Sequence, residues 1–292
     1  MTPLRSPRQP ILQTIHRPPP SPSPANRPPL LFLHGGYVDA RSWDAHFLPF
    51  FASHGYDCHA LNFSGHGGSG GREYLDALSL DDYLADAEQV IARFDQQPIV
   101  IGHSMGSFVA ERLLEQSLAV AAVLLAPVPT NGTLESATKL LLKYPKFLGE
   151  VVNVTRGRVS ATALHMIKEV YFSPTTRPET LLRFAQLVQP ESARAICDLA
   201  FLGCWRWSPK PPSAQPVLVV AGELDTVFPP QLIRPLARRW NAELQIVAAT
   251  GHALILDEHW SDCATAVLGW LARLEQRQAA NSEQTKELAG VV

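Results

Sequence analysis

The stretch Ile99-Val100-Ile101-Gly102-His103-Ser104-Met105-Gly106-Ser107 limits what this chain can fold into more than any other. Its apolar start reads as a buried strand, and a helix-like pattern follows at once. A turn from strand into helix within so few residues leaves no room for side chains at its inner corner, and glycines stand at 102 and 106. The hydroxyl of the serine between them is expected to be lifted clear of the sheet, with its backbone N–H facing the reaction site. Two readings fit: a nucleophile on a tight turn, and an ordinary loop whose serine caps the helix. A base, an acid and a second oxyanion donor at the same sheet edge would favour the first.

The rest of the chain supplies a matching frame. Leu30-Leu31-Phe32-Leu33, Cys58-His59-Ala60-Leu61-Asn62-Phe63, 120–125, Val217-Leu218-Val219-Val220-Ala221 and 244–247 read as strands. Residues 11–16 read as a short edge strand. The proline-rich run 18–24 is either a loop joining two edge strands or a PxxP ligand for another protein. Helical spacing is visible over 42–53 (Trp43, Phe47, Leu48, Phe51), 107–116, 230–240 and 261–278. Ser79 and Asp82 form a capping signal for a helix with Leu80, Tyr83, Leu84, Ala87, Val90, Ile91 and Phe94 on its apolar face.

This alternation, with strands apolar on both faces, predicts an α/β fold with a mostly parallel sheet covered by helices. The rhythm lapses between 130 and 212. Candidate helices at 134–148, 161–171, 178–188 and 192–202 have no buried strand among them, which reads as a helical lid. The expected division is a core of 1–129 and 213–292 with a lid of 130–212, and Trp205 and Trp207 lie where the chain re-enters the core.

Composition narrows the function classes. With 292 residues, 46% of them hydrophobic and 18% charged, the chain has the make-up of a globular enzyme. A net charge of −2 offers no electrostatic footprint for nucleic acid. No apolar run is long enough to span a bilayer. The first nine residues lack the apolar segment of a secretory signal, so a cytoplasmic location is expected. Cys58, Cys197, Cys204 and Cys263 are scattered and read as reduced, mostly buried thiols. The glycine run after Ser64 lacks the Gly-Lys-Ser/Thr of a phosphate loop. No metal or nucleotide site is indicated.

Two further stretches complete a constellation. Strand 217–221 ends in Gly222-Glu223-Leu224-Asp225, and strand 244–247 is followed by Ala248-Ala249-Thr250-Gly251-His252. Ser104, Asp225 and His252 therefore all fall just past carboxyl ends of predicted strands, the edge where open parallel sheets bind ligands. A serine hydroxyl is a poor nucleophile unless an imidazole removes its proton. His252 is the candidate base, and Asp225 the carboxylate that holds its tautomer. Asp257 and Asp198 are rivals for that last role, but neither follows a strand at this edge; Glu223 reads as a solvated loop residue or an understudy.

With these motifs, together with His34-Gly35-Gly36 and Asn62-Phe63-Ser64-Gly65-His66-Gly67, the chain resembles the α/β-hydrolase superfamily over about residues 28–275. It looks most like the lid-bearing esterase, lysophospholipase and monoacylglycerol-lipase type. The resemblance implies an α/β-hydrolase fold with the helical lid inserted after the sixth strand, a Ser-His-Asp triad and no cofactor. Met105 supplies one oxyanion N–H, and the resemblance implies that the second comes from Gly36 or Tyr37. Members of the family often have arginine where Ser64 stands and aspartate where Asn62 stands, which puts the salt-bridge support of that turn in doubt.

The expected activity is hydrolysis of a carboxylic ester with an apolar acyl group, on a small or lipid-like substrate, with transient contact at a membrane surface open. The same scaffold supports carbon–carbon bond hydrolysis, acyl transfer, perhydrolysis and cofactor-free oxygenation, and a ligand receptor with a hydrolase pocket is a further alternative. Candidate substrate contacts are His34, His103, Phe147, Met166 and Phe172, with Tyr171, Phe184 and Phe201 as further lid aromatics. For His34 the competing reading is support of its own loop, for His103 packing, for His66 turn architecture, and for the lid aromatics plain helix packing.

Overall fold

The computed structural model describes residues 10–21, 27–202 and 215–289. Seven strands form one sheet: β1 (Thr14–Arg17), β2 (Leu30–Leu33), β3 (Cys58–Leu61), β4 (Ile99–His103), β5 (Ala121–Leu125), β6 (Val217–Gly222) and β7 (Glu243–Val247). Their order is β1-β3-β2-β4-β5-β6-β7. β1 pairs antiparallel with β3, and every other neighbouring pair is parallel. The helices are α1 (Arg41–Asp44), α2 (Phe47–Ser53), α3 (Leu80–Ile91) and α4 (Met105–Glu115), then α5 (Leu134–Lys143), α6 (Phe147–Thr155), α7 (Ala161–Tyr171), α8 (Pro178–Leu187) and α9 (Ala193–Ala200), and finally α10 (Pro230–Arg239) and α11 (Trp260–Ala289).

The expected layering follows from side chains that alternate across the pleat. Leu30, Phe32, Ile101, Val123 and Leu125 share one core with Trp43, Phe47, Leu48 and Phe51 of α1–α2 and with Val267 and Leu271 of α11. Leu31, Leu33, Val100, Ala122 and Leu124 share the opposite core with Leu80 and Tyr83 of α3, Val109 and Leu113 of α4, and Ile233 of α10. Helices cover both faces, so both faces of each central strand must be apolar.

This topology positions a site. The helix after β2 packs on one face and the helix after β4 on the other, although β2 and β4 are hydrogen-bonded neighbours. Their outgoing loops diverge, and a crevice opens at their carboxyl ends. The loop after β2 carries His34-Gly35-Gly36; the loop after β4 carries Ser104.

Two predicted helices are each divided. Segment 42–53 breaks at His46, which has φ −144° and ψ −52°. Pro49 would clash with the carbonyl of Ala45 inside one continuous helix, but as third residue of α2 it needs no hydrogen-bond partner. Segment 134–148 breaks at Tyr144 (φ −129°, ψ 70°), which precedes Pro145 and is driven out of the helical region by it. A further helix, α6, begins at Phe147.

Where four insert helices were expected, five (α5–α9) are described; they leave the sheet after β5, and the chain returns at β6. Counted along this chain that is the fifth strand rather than a sixth, because β1 is the one strand paired on the outer side of β3 among the described residues. Trp205, Trp207, Cys204 and Pro22 to Pro24 lie outside the described residues. Cys58 and Cys263 are buried free thiols, and Cys197 is free but exposed. Among the described residues no helix is long and apolar enough to cross a membrane.

Candidate active site

Ser104 takes φ 50° and ψ −117°, a backbone state that L side chains rarely adopt. The surroundings hold it there. Its N–H donates to Leu125 O at 2.9 Å, so it is tied to the sheet rather than facing the reaction site as expected, and its own carbonyl accepts from Ser107 N–H at 2.9 Å. A Cβ at residue 102 would overlap the Gly106 carbonyl, and one at 106 would overlap the Leu33 carbonyl. Both glycines are therefore set by close backbone approach. Helix α4 starts at Met105, and Ser104 makes no side-chain cap bond. The helix-capping reading of the serine is not the observed arrangement.

His252 and Asp225 meet Ser104 in a hydrogen-bonded line. His252 Nε2 lies 3.1 Å from Ser104 Oγ, and His252 Nδ1 lies 2.8 Å from Asp225 Oδ2. With Nδ1–H donating to the carboxylate, Nε2 is free to accept the serine proton. The other carboxylate oxygen, Asp225 Oδ1, accepts from Val227 N–H and Phe228 N–H, each at 2.8 Å. Asp225 and His252 are buried. A buried carboxylate satisfied by three donors is fixed in orientation and fixes the ring in turn.

The rival acids are occupied elsewhere. Asp257 accepts from Ser173 N–H at 2.7 Å and Gly251 N–H at 3.2 Å, Asp198 from Leu80 N–H at 3.2 Å, and Glu223 from Ala249 N–H at 2.9 Å.

The oxyanion candidates separate. Neither Met105 N–H nor Gly36 N–H has a hydrogen-bond acceptor among the described residues, and both residues line the cavity beside Ser104. Tyr37 N–H is engaged: it donates to Glu191 Oε2 at 3.2 Å. Tyr37 is thereby corrected from a candidate donor to a tethered neighbour of one.

The histidines near the site have separate tasks. His103 is buried, and burial, reinforced by the His252 ring, pushes its pKa down to about 3. It stays neutral and donates from Nε2 to the His252 carbonyl at 2.9 Å, tying the β4 loop to the His252 loop while lining the cavity. His34 is held at about 4 by burial and by His66. It donates from Nδ1 to Gly35 O at 2.8 Å and accepts Phe63 N–H at Nε2 at 3.2 Å. It does not line the cavity, so its task is loop support rather than substrate contact.

Hydrogen bonds hold the turn at Ser64 and Asn62. Ser64 donates its N–H (2.7 Å) and its hydroxyl (2.8 Å) to Asp86, a carboxyl that burial raises to about 6. Asn62 accepts Ala40 N–H at 2.7 Å and donates to Gln13 at 2.6 Å.

Above Ser104 lies a cavity of about 210 Å³. Its walls come from the sheet edge and from α5–α9, through Leu140, Leu148, Val151, Ile167, Phe184 and Leu199 among others. None of the residues that line it is aspartate, glutamate, lysine or arginine. Tyr171 and Phe184 line it as expected, but Phe147, Met166 and Phe172 do not. Phe147 packs with Met166 and Tyr37 in a small cluster beside it, and Phe172 turns edge-on to Phe184 in the core. Phe201 is exposed. Helical periodicity identified an apolar face for these segments, but several aromatics use that face to join helices to each other.

One group of metal-capable side chains occurs among the described residues, His16, Asp57 and His59, whose ligand atoms lie within 4.8 Å of one another. The two rings stack with planes 8° apart, so their lone pairs run parallel, and Asp57 takes Nε2 of His16 at 2.6 Å and of His59 at 3.0 Å. The cluster sits at the amino end of β3, the opposite sheet edge from Ser104.

Known proteins with similar chains agree with this architecture. A family model described as alpha/beta hydrolase fold matches residues 28–259. A Mycobacterium tuberculosis protein, provisionally named non-heme bromoperoxidase BpoC, is 27% identical over 238 residues, covering 72% of this chain and 80% of that protein. Its solved structure is similar with a TM-score of 0.70 at 22% identity, over 90% of this chain and 96% of that one. A thermophilic esterase from Thermogutta terrifontis is similar with a TM-score of 0.68 at 16% identity, over 90% and 93% of the two chains. A monoacylglycerol lipase from Paleococcus ferrophilus reaches 0.64 at 17% identity, over 89% and 98%. At such identities the solved structures speak for the fold.

Proposed function

The chain belongs to the alpha/beta hydrolase fold family, and from that premise we propose that it is a serine hydrolase cleaving a carboxylic ester with an uncharged, apolar acyl group. The observation that carries this reading is the line Ser104–His252–Asp225 at the base of a cavity free of charged side chains. The insert 130–212 is proposed as the lid over the acyl pocket, on the strength of the walls that α5–α9 contribute.

In the proposed cycle Ser104 Oγ attacks the ester carbonyl as His252 Nε2 takes its proton. The charge that develops on the carbonyl oxygen is met by Met105 and Gly36 N–H, donors of a kind whose individual loss costs about a hundredfold or more in turnover. Asp225 stabilises the imidazolium. His252 then gives its proton to the departing alkoxide, leaving the acyl group on Ser104 and releasing an alcohol. Water attacks the acyl-enzyme while His252 takes one of its protons; collapse releases the acid and restores the hydroxyl.

A fluorophosphonate probe is expected to label Ser104, and Ser104→Ala is expected to abolish turnover of a p-nitrophenyl ester while leaving the circular dichroism spectrum unchanged. Unaltered turnover in that variant overturns the mechanism. The name carried by the Mycobacterium tuberculosis relative favours a second reading, in which hydrogen peroxide replaces water and the acyl-enzyme yields a peracid. Adding peroxide to the ester assay and titrating peracid separates the two.

A further inference from the structure

The segment of the insert that follows α8 is bound to the loop after β2 by an arrangement that the hydrolytic cycle does not itself require. Tyr37 has φ 65°, in the left-handed region that disfavours side-chain-bearing residues. Both of its backbone groups are clamped by this segment. Its N–H donates to Glu191 Oε2 at 3.2 Å, and its carbonyl accepts Gln189 N–H at 2.8 Å. Glu191 also packs beneath the neighbouring residue, since a Cβ at 36 would lie 3.6 Å from Glu191 Oε2.

The Glu191 carboxylate is itself fully engaged. Oε1 accepts the Tyr83 hydroxyl and Ser192 N–H, each at 2.7 Å, and His66 Nε2 lies 3.2 Å from Oε2. The second His66 nitrogen faces Ser64 O at 3.1 Å. Burial pushes the Glu191 carboxyl up, but the His66 charge and the hydrogen bonds from His66, Tyr83 and Ser192 outweigh it and hold the group below its ordinary value. The same segment reaches the glycine-rich turn, where Gln189 Oε1 accepts from Arg72 at 2.6 Å and from Gly67 N–H at 3.3 Å.

We infer that Glu191 is a positioning residue for the oxyanion hole: with Gln189 it locks Tyr37 in its left-handed conformation and so keeps the adjacent Gly36 N–H unpaired and directed at the cavity. The insert thereby completes the catalytic geometry of the sheet edge as well as covering it. Without the Glu191 acceptor, Tyr37 is free to leave its disfavoured conformation, and a rotation of the peptide between 36 and 37 would carry the loop out of register. The site would still bind ester against the apolar walls but would stabilise the tetrahedral intermediate less.

This inference rests on the serine-hydrolase reading, and the test separates the two. The full chain, Glu191→Gln, Glu191→Ala and Tyr83→Phe are compared for kcat, KM and inhibition by an aliphatic trifluoromethyl ketone, which adds to the serine and presents an alkoxide to the oxyanion hole. Glu191→Ala is expected to lower kcat and ketone affinity together by about tenfold or more, with KM changed by less than about threefold, the pattern of an interaction made only in the transition state. Glu191→Gln retains an acceptor for Tyr37 N–H and is expected to recover part of the loss. Tyr83→Phe leaves the carboxylate on Tyr37 and is expected to stay within about threefold of the native chain.

Should Glu191→Ala fail to fold, a loss of ketone affinity in Glu191→Gln without a matching rise in KM carries the inference. Native kcat and ketone affinity in folded Glu191 variants overturn it, as does a rise in KM alone. A native chain that neither reacts with fluorophosphonate at Ser104 nor binds the ketone overturns the hydrolase reading and this inference together.

Discussion

Asp225 and Tyr37 show what single residues contribute at this sheet edge. Asp225 uses one oxygen to hold His252 and the other to bind two backbone amides, so amide and carboxylate would differ here in tautomer control rather than in size. Asp225→Asn is expected to fold normally and to lower kcat by about 10⁴, the scale seen when a triad aspartate is replaced in a serine protease; near-native kcat on the p-nitrophenyl ester would remove Asp225 from the mechanism. The three triad candidates were legible because each residue type follows a strand whose end could be located from its own apolar run. Gly36 and Tyr37 were inseparable in sequence, being adjacent on one loop. What distinguishes them is Glu191, 154 residues further along, standing between a proline and a serine with no local pattern to mark it.

At the scale of elements, the insert helices supply much of the cavity wall. Ile167 of α7 lines the cavity, whereas Phe172, just beyond that helix, meets Phe184 in the core. Ile167→Phe is therefore expected to shift the preference in a graded p-nitrophenyl ester panel towards short acyl chains, with kcat/KM for octanoyl relative to butyryl falling about tenfold, a discrimination typical of one or two methylenes in an apolar pocket. Phe172→Leu is expected to lower Tm and leave that ratio unchanged. An unmoved ratio in Ile167→Phe would show that the acyl chain lies elsewhere. Helix boundaries followed the same division between local and remote causes. Pro49 and Pro145 account for the two broken helices by local sterics alone, but the direction each insert helix faces depends on the sheet edge it covers.

The whole molecule is one sheet with helices on both faces, and it buries ionisable groups away from the site as well as within it. Glu111 of α4 accepts Trp240 Nε1 at 2.7 Å, and burial raises its pKa to about 8. Its folded-state pKa exceeds the unfolded one, so its contribution is most favourable at low pH and is lost as pH rises from about 5 through about 8. Urea denaturation is expected to show Glu111→Gln gaining stability relative to the native chain across that interval, with a constant difference above it; a difference independent of pH would overturn the assignment.

By itself the sequence determined the fold class and the three residues that meet at the carboxyl edge of the sheet. Strand runs, helical periodicity and the Gly-x-Ser-x-Gly turn are enforced by neighbours a few residues apart, so one sequence is enough to read them. The tertiary structure decided which loop amide is left free, which insert side chains line the cavity and which join helices, and that a carboxylate from the insert grips the loop after β2. Those outcomes depend on groups remote in the chain and close in space, where burial makes each unpaired donor or acceptor costly enough to select a single arrangement.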